Sequence, residues 1–396
     1  MAKKQVKMGV IGLGNMGAHH IKYINELDGA KLTAIADIDG EKLDAAVRSL
    51  GDQAEGVETF GPGKDLIAKG DVDAILIATP HYDHPPLTKQ AFKRGLHVLC
   101  EKPVAVTAKA AAEVEAAYKK MRKKPIWGVM FQARTSIFWQ AVKRILDEGE
   151  IGEIKRVSWI ITTWFRTQSY YDSGGWRATW AGEGGGVIIN QCPHNLDLIT
   201  WFCGLPSRVT ANVGLGKFHK IEVEDDVTAI LEYPNGATGI FVTTTGDSPG
   251  TNRLEITGDK GKLVAEGSNL TLVRTHESVS DFCKNCDRSF ANVGHDVHKI
   301  EVGGKQGEKH QTVTQAFVDA INHNDPNRLY AHAADGIKGL ELGNAMLMSG
   351  ILGEPIDIPT PRAKFDKLIK DLAAKSKVKK DKPAKKVKTD INASFH

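Results

Sequence analysis

Residues 6–27 read VKMGVIGLGNMGAHHIKYINEL. The stretch opens as an apolar β-run and turns to helical spacing after Gly17. Gly12, Gly14 and Gly17 form G-x-G-x-x-G at that junction. Gly12 permits a tight turn, Gly14 lets a pyrophosphate approach the backbone, and Gly17 lets the helix pack close to the strand. The start of that helix then offers free N–H groups and partial positive charge to phosphates, with Leu13, Asn15 and Met16 between the glycines. Three glycines alone equally suit an ordinary tight turn, so their setting decides.

The next strand, KLTAIAD, ends in Asp37, twenty residues beyond Gly17. An acidic residue there binds the adenosine ribose hydroxyls and repels a 2′-phosphate, which favours NAD over NADP. Asp37 is also placed to cap the helix that starts near Glu41, a role compatible with ribose binding. Alternation continues through DAILIATP as a buried parallel strand, HPPLTKQAFKRG as a helix, LHVLCEKP as a strand, TAKAAAEVEAAYKKM as a helix and PIWGVMFQ. Strand, glycines, helix and a second strand ending in acid predict a Rossmann domain over residues 1–132. Ligands in such folds sit beyond the carboxyl ends of the strands, where Thr79, Pro80, His81, Glu101, Lys102 and Pro103 fall. Most lysines are surface residues. Lys102 instead ends a strand facing the nicotinamide crevice, where it can hold and polarise a substrate hydroxyl.

From about residue 154 successive strands lack intervening helices: IKRVSWIITTWF, RVTANVGLG, VTAILEYPNGATGIFVTTTG, RLEITGDKGKLVAEG and NLTLVRTH. Asn235-Gly236 marks a hairpin turn. The second domain, residues 133–374, is therefore expected to be α+β with a large open, mostly antiparallel sheet. The helix pattern AADGIKGLELGNAMLMSG, near residues 331–349, is expected to pack on the first domain. Between the first two strands lies RTQSYYDSGGWRATWAGEGGG, a long aperiodic segment of the kind that is often functional. Aromatic faces at Tyr170, Tyr171, Trp176 and Trp180 suit the apolar faces of pyranose rings, and Arg166 and Arg177 suit hydroxyls or a cofactor phosphate. In GVIINQCPHNLDL, residues 186–198, His194 falls in the first turn of a helix. A helix start disfavours the imidazolium, leaving a neutral base able to accept an alcohol proton. Taken alone, a first-turn histidine is more often structural. With Lys102 and the dinucleotide site, it reads as catalytic. Asp197 is a helix-face residue or a partner that orients the imidazole.

GVIGLGNMG, ILIATPHYDH, GLHVLCEKP and GGGVIINQCPHNLDL together resemble the Gfo/Idh/MocA family of sugar and cyclitol oxidoreductases, which includes glucose–fructose oxidoreductase and inositol dehydrogenase. The resemblance spans about residues 5–360. It implies a substrate-binding and catalytic role for Lys102 in the E-K-P motif and a catalytic role for His194. It also implies that Trp176 and Arg177 lie near the cofactor, and that the open sheet makes homo-oligomer contacts as a dimer or tetramer. Two positions depart from the pattern. Asn190 stands where many members carry aspartate, and His81 where asparagine is frequent. Asparagine orients a hydroxyl but cannot accept its proton as a base. This assigns the proton to His194, or to Lys102 through a relay, and sets the chain apart from a simple inositol dehydrogenase. The substrate contacts expected are Asn190, Arg166, Tyr170 and Trp176, and the expected substrate is a sugar or polyol oxidised with NAD. Two rivals stand beside this reading: a redox-neutral enzyme that oxidises a glycoside transiently to eliminate its aglycone, and a non-catalytic NAD sensor. A sensor has no need of both Lys102 and His194.

The formal net charge of +4 arises largely in KSKVKKDKPAKKVKTDINASFH, residues 375–396, expected to be a disordered tail. The folded part carries no evident nucleic-acid footprint. No apolar run reaches membrane-spanning length and no signal core opens the chain, so a soluble cytoplasmic protein is expected. The five cysteines are odd in number and irregular in spacing, which suits reduced thiols. CKNCDRSFANVGHDVH holds Cys283, Cys286, His295 and His298, but the intervals are short for zinc, so no metal is expected and the segment reads as a loop near the substrate mouth.

Overall fold

The four residues of the strand Ala74–Ile77 are all buried, as expected for a parallel strand covered on both faces. A computed structural model describes residues 5–303 and 309–376. Most of the lysine-rich tail, from residue 377 on, lies outside the described residues. Contacts divide the chain into two units, Met1–Thr135 with Glu308–Leu340 and Ser136–Gly307 with Glu341–His396.

In the first unit, β1 (Val6–Ile11), β2 (Ala30–Ala36), β3 (Glu58–Phe60), β4 (Ala74–Ile77), β5 (His97–Cys100) and β6 (Trp127–Val129) form one parallel sheet. Its order is β3-β2-β1-β4-β5-β6, so the chain doubles back between β1 and β4, the crevice where a dinucleotide binds in this topology. Met8, Val10, Leu32, Ile35 and Leu76 fill the interior with Phe317 and Val318 from helix His310–His323. Each fully buried side chain of this size contributes roughly 1.5–3 kcal/mol. Glycine is obligatory at the first turn. Gly12 has φ of 89°, and a Cβ there would stand 2.7 Å from the Ala78 carbonyl oxygen.

In the second unit, β7 (Ile154–Ile161), β8 (Arg208–Leu215), β9 (Glu224–Glu232), β10 (Thr238–Thr244), β11 (Asn252–Gly258), β12 (Gly261–Glu266), β13 (Asn269–Thr275), β14 (His295–Ile300) and β15 (Ile356–Asp357) form a second sheet. Its order is β14-β13-β12-β11-β7-β10-β9-β8-β15. All pairs are antiparallel except β7 with β10. Burial alternates along β9, so one face meets the core and the other is open. Trp159 and Phe241, direct partners across the parallel pair, lie fully buried on the inner face.

The segment expected to be a loop at 283–298 is a loop only over residues 286–294, and its two ends are regular. Residues Val279–Asn285 form a helix and His295–Ile300 the outermost strand, β14. The strand escaped notice because every residue of it but Ile300 is exposed, which removes the apolar alternation that marks a strand. Among the described residues, no group of three or more His, Cys, Asp or Glu side chains could hold a metal ion. No described helix is long and apolar enough to cross a membrane.

Candidate active site

Backbone hydrogen bonds fasten four strand ends of the first unit together. Gly12 N donates to Ala36 O at 2.8 Å, Ala78 N to Ile11 O at 2.8 Å, and Glu101 N to Ile77 O at 2.9 Å. The glycine turn, Asp37, Thr79-Pro80 and Lys102 thus belong to one edge of the sheet. Asp37 takes Leu13 N on Oδ2 at 2.6 Å and Asp39 N on Oδ1 at 2.9 Å. These bonds aim the carboxylate at the glycine turn, and each oxygen keeps a further lone pair for a hydroxyl. The helix at Gly40–Leu50 is capped by Asp39, not Asp37. The cap expected of Asp37 belongs two residues later, because Asp39 is in extended backbone with its carboxylate over Glu41 N and Lys42 N.

The strand-end residues fit a bound dinucleotide. A Cβ on Gly14 would meet nothing within 4 Å, leaving an open approach to the backbone. Thr79 Oγ1 is buried and has no hydrogen-bond partner, which suits a ligand donor or acceptor. His84 spans the two following loops, with Nδ1 2.7 Å from Pro103 O and Nε2 2.8 Å from Thr79 O. His81 packs beside it, ring centroids 6.0 Å apart. Glu101 was expected at the cofactor, but its carboxylate is engaged inside the protein. Oε1 meets His20 Nε2 at 2.7 Å and Oε2 accepts from Lys102 N at 3.2 Å.

The second unit gathers most of the other candidates around Tyr170. The Tyr170 hydroxyl accepts from Arg177 Nη1 at 2.7 Å and from Gln191 Nε2 at 3.1 Å. The Arg177 guanidinium lies 4.5 Å from the Tyr170 ring centroid and 5.0 Å from that of Trp176. Arg166 lies 5.2 Å from the Tyr170 ring, and its carbonyl meets His219 Nε2 at 2.8 Å. Tyr171 and Trp180 are buried in the unit, whereas Trp176 is exposed. Arg166, Tyr170, Trp176 and Arg177 are therefore one arginine–aromatic stack.

His194 occupies the first turn of helix Pro193–Cys203, buried, four residues after Asn190 at the end of the short helix Val187–Asn190. Two carboxylates hold this double turn, and neither was singled out in the sequence. Glu224 Oε1 accepts from Gly186 N at 2.8 Å and Ile188 N at 3.0 Å. Burial pushes its pKa up to about 7 against those backbone bonds. Glu183 accepts from Asn190 Nδ2 on one oxygen and from Ala178 N at 2.6 Å on the other. Ala178 has φ of 52°, uncommon for a residue with a Cβ. Glu183 holds it there and lies 3.9 Å from Arg177. The carboxylate absent at position 190 thus stands behind it at 183. Its one sequence signal is an acid inside the small-residue run AGEGGG.

Comparison with known proteins gives the same outline. The sequence model described as "Oxidoreductase family, NAD-binding Rossmann fold" matches residues 6–128, and that of the GFO/IDH/MocA C-terminal domain matches residues 139–264. The inositol 2-dehydrogenase of Corynebacterium glutamicum is 29% identical over 238 residues, which are 59% of this chain and 65% of that protein. The uncharacterized oxidoreductase YrbE of Bacillus subtilis is 24% identical over 90% of this chain and 97% of its own length. The crystal structure of the WlbA dehydrogenase from Bordetella pertussis, in complex with NADH and UDP-GlcNAcA, superposes with a TM-score of 0.75. It is 26% identical and covers 91% of this chain and 99% of that one.

Proposed function

The chain belongs to the Gfo/Idh/MocA family of oxidoreductases, and from that premise we propose that it is an NAD-dependent dehydrogenase oxidising a secondary alcohol of a sugar, glycoside or cyclitol. The observation that carries the reading is the fastening of the glycine turn, Asp37, Thr79 and the Lys102 turn at one sheet edge. Bound there, NAD supplies the hydride acceptor that no side chain provides. Gly12, Leu13, Gly14, Asn15 and Met16 hold the pyrophosphate, Asp37 the ribose, and Thr79, Pro80 and His81 the next part of the cofactor. Lys102 holds and polarises the substrate hydroxyl, and His194 takes its proton. Asn190, whose Nδ2 donates to Glu183, hydrogen-bonds the substrate. Arg166, Tyr170 and Trp176 contact the sugar from the arginine–aromatic stack, of which Trp176 is exposed. The inositol 2-dehydrogenase relatives and the neighbour crystallised with UDP-GlcNAcA support a polyhydroxylated substrate.

The test is a panel of polyols, sugars and glycosides incubated with NAD. NADH formation with at least one of them is expected. No NADH from the whole panel, with NAD binding intact, would overturn the dehydrogenase reading. Aglycone release without net NADH would replace it by the redox-neutral one. Titration of both cofactors should give tighter binding of NAD than of NADP, and Asp37→Ser should narrow the gap by removing the charge that opposes a 2′-phosphate. Tighter NADP binding by the unaltered protein would sink the cofactor assignment.

The open face of the second sheet is the surface we assign to homo-oligomer contacts. Ile230 and Ile240 are direct partners in the β9–β10 register, and both are about half exposed. Water-facing isoleucines paired mid-sheet suit burial against another copy. Ile240→Glu should shift the protein to a smaller species in light scattering, and an unaltered protein that is already monomeric would refute the assignment.

A further inference from the structure

Beside the Lys102 turn, within the first unit, runs a buried chain of polar side chains to which the mechanism above gives no task. His20 is fully buried, with Nε2 2.7 Å from Glu101 Oε1 and Nδ1 2.5 Å from the Tyr23 hydroxyl. The Tyr23 oxygen lies 2.9 Å from Thr314 Oγ1, and Thr314 donates to the His310 carbonyl at 3.0 Å. One assignment of protons serves every bond of this chain, the Thr314 bond to the carbonyl included. Thr314 spends its one proton on the carbonyl, so it accepts from Tyr23. Tyr23 spends its one proton on Thr314, so its oxygen accepts from His20 Nδ1. Nε2 faces a carboxylate and donates as well. In that assignment both ring nitrogens donate, which is the imidazolium form of His20.

Its counter-charge is Glu101, whose second oxygen accepts from Lys102 N. Burial opposes ionisation of this carboxyl. The His20 hydrogen bond, with the charges of His20, His310 and Lys102, outweighs it and brings the pKa down to about 2. Other titratable groups act on the same site: His19 and Tyr23 from the segment of His20, His84 from helix His84–Arg94, and Cys100 from β5. Burial takes His310 down to about 4, so near neutral pH it adds no charge beside Glu101.

We propose that His20 and Glu101 form a buried imidazolium–carboxylate pair that seats the Lys102 turn and keeps the Lys102 amine charged, so that both are positioning residues for the chemistry at Lys102. The inference rests on the catalytic reading of Lys102 given above. Losing one member of a buried pair strands the other charge, whereas replacing both by neutral groups costs much less.

The test compares the full-length wild type with His20→Gln, Glu101→Gln and the double variant. His20→Gln should lower the melting temperature by roughly 5 °C or more, and the double variant should recover much of that loss. Acylation of Lys102, followed by peptide mass spectrometry, reads its charge without any turnover. Glu101→Gln should raise the acylation rate at fixed pH roughly tenfold, the effect of a one-unit change in ionisation. In His20→Gln the stranded carboxyl titrates higher. Lys102 reactivity and kcat/KM should then change on the acid side of neutrality, and the double variant should lack that change. Additive melting losses in the double variant would overturn the pair, and equal Lys102 reactivity in all four proteins would overturn the positioning role. If no polyol is turned over by the wild type, the dehydrogenase reading fails, while melting and Lys102 reactivity still decide the pair.

Discussion

His194→Ala is expected to lower turnover by about 100-fold or more, the usual scale for losing a general base, while NAD affinity and thermal unfolding stay near wild type. His194 is buried in the first turn of its helix. On the proposed role, truncation there removes the proton acceptor, and it leaves the Gly186 and Ile188 N–H groups bonded to Glu224. Lys102→Ala should lower turnover on the same scale and also raise KM, because in the proposed mechanism the lysine holds the hydroxyl as well as polarising it. If the two side chains serve one hydroxyl, the double variant will lose less than the product of the single losses. Asn190→Asp probes the same motif from its other end. It places a second carboxylate against Glu183, and two adjoining carboxylates do not ionise independently. The pH–rate profile should shift. Near-normal turnover in His194→Ala with NAD bound normally would assign the proton to another group.

Gly17→Ala is expected to lower both thermal stability and NAD affinity, whereas Gly14→Ala should lower affinity alone. A Cβ on Gly17 would overlap the carbonyl oxygen of Gly12, with Ala78 Cβ only 3.7 Å away. Backbone cannot swing aside as a side-chain end can. The helix must withdraw from the turn, at roughly the 1–3 kcal/mol typical of overpacking. The N–H groups that face the pyrophosphate withdraw with it. At Gly14 a Cβ meets no protein atom within 4 Å, so the fold accommodates it. The methyl group then occupies the space of the ligand, and a roughly tenfold weaker Kd, about 1.4 kcal/mol, is expected. Calorimetric melting and NAD titration of the two variants separate these effects. A Gly17→Ala protein that melts and binds like the wild type would show that the turn is not closed by that contact.

The Rossmann sheet, its glycine turn and the strand ends that carry Asp37, Thr79 and Lys102 were legible before any folding. Each is written locally: apolar runs of strand length, glycines where a side chain would strike backbone, and turns at fixed offsets from a strand. The open second sheet was legible for the same reason, since alternation and the Asn235-Gly236 turn are short-range signals. The remainder came from long-range packing. It paired β7 with β10 in parallel and made an outer strand of the exposed residues at 295–300. It set Glu183 behind Asn190, buried Tyr171 and Trp180 in the core, and turned the Glu101 carboxylate inward to His20 across 81 positions of chain. A buried charge carries no local periodicity and reveals no partner in its own segment. The desolvation cost of leaving it alone is what requires the partner, and only the folded chain brings that partner within hydrogen-bonding distance.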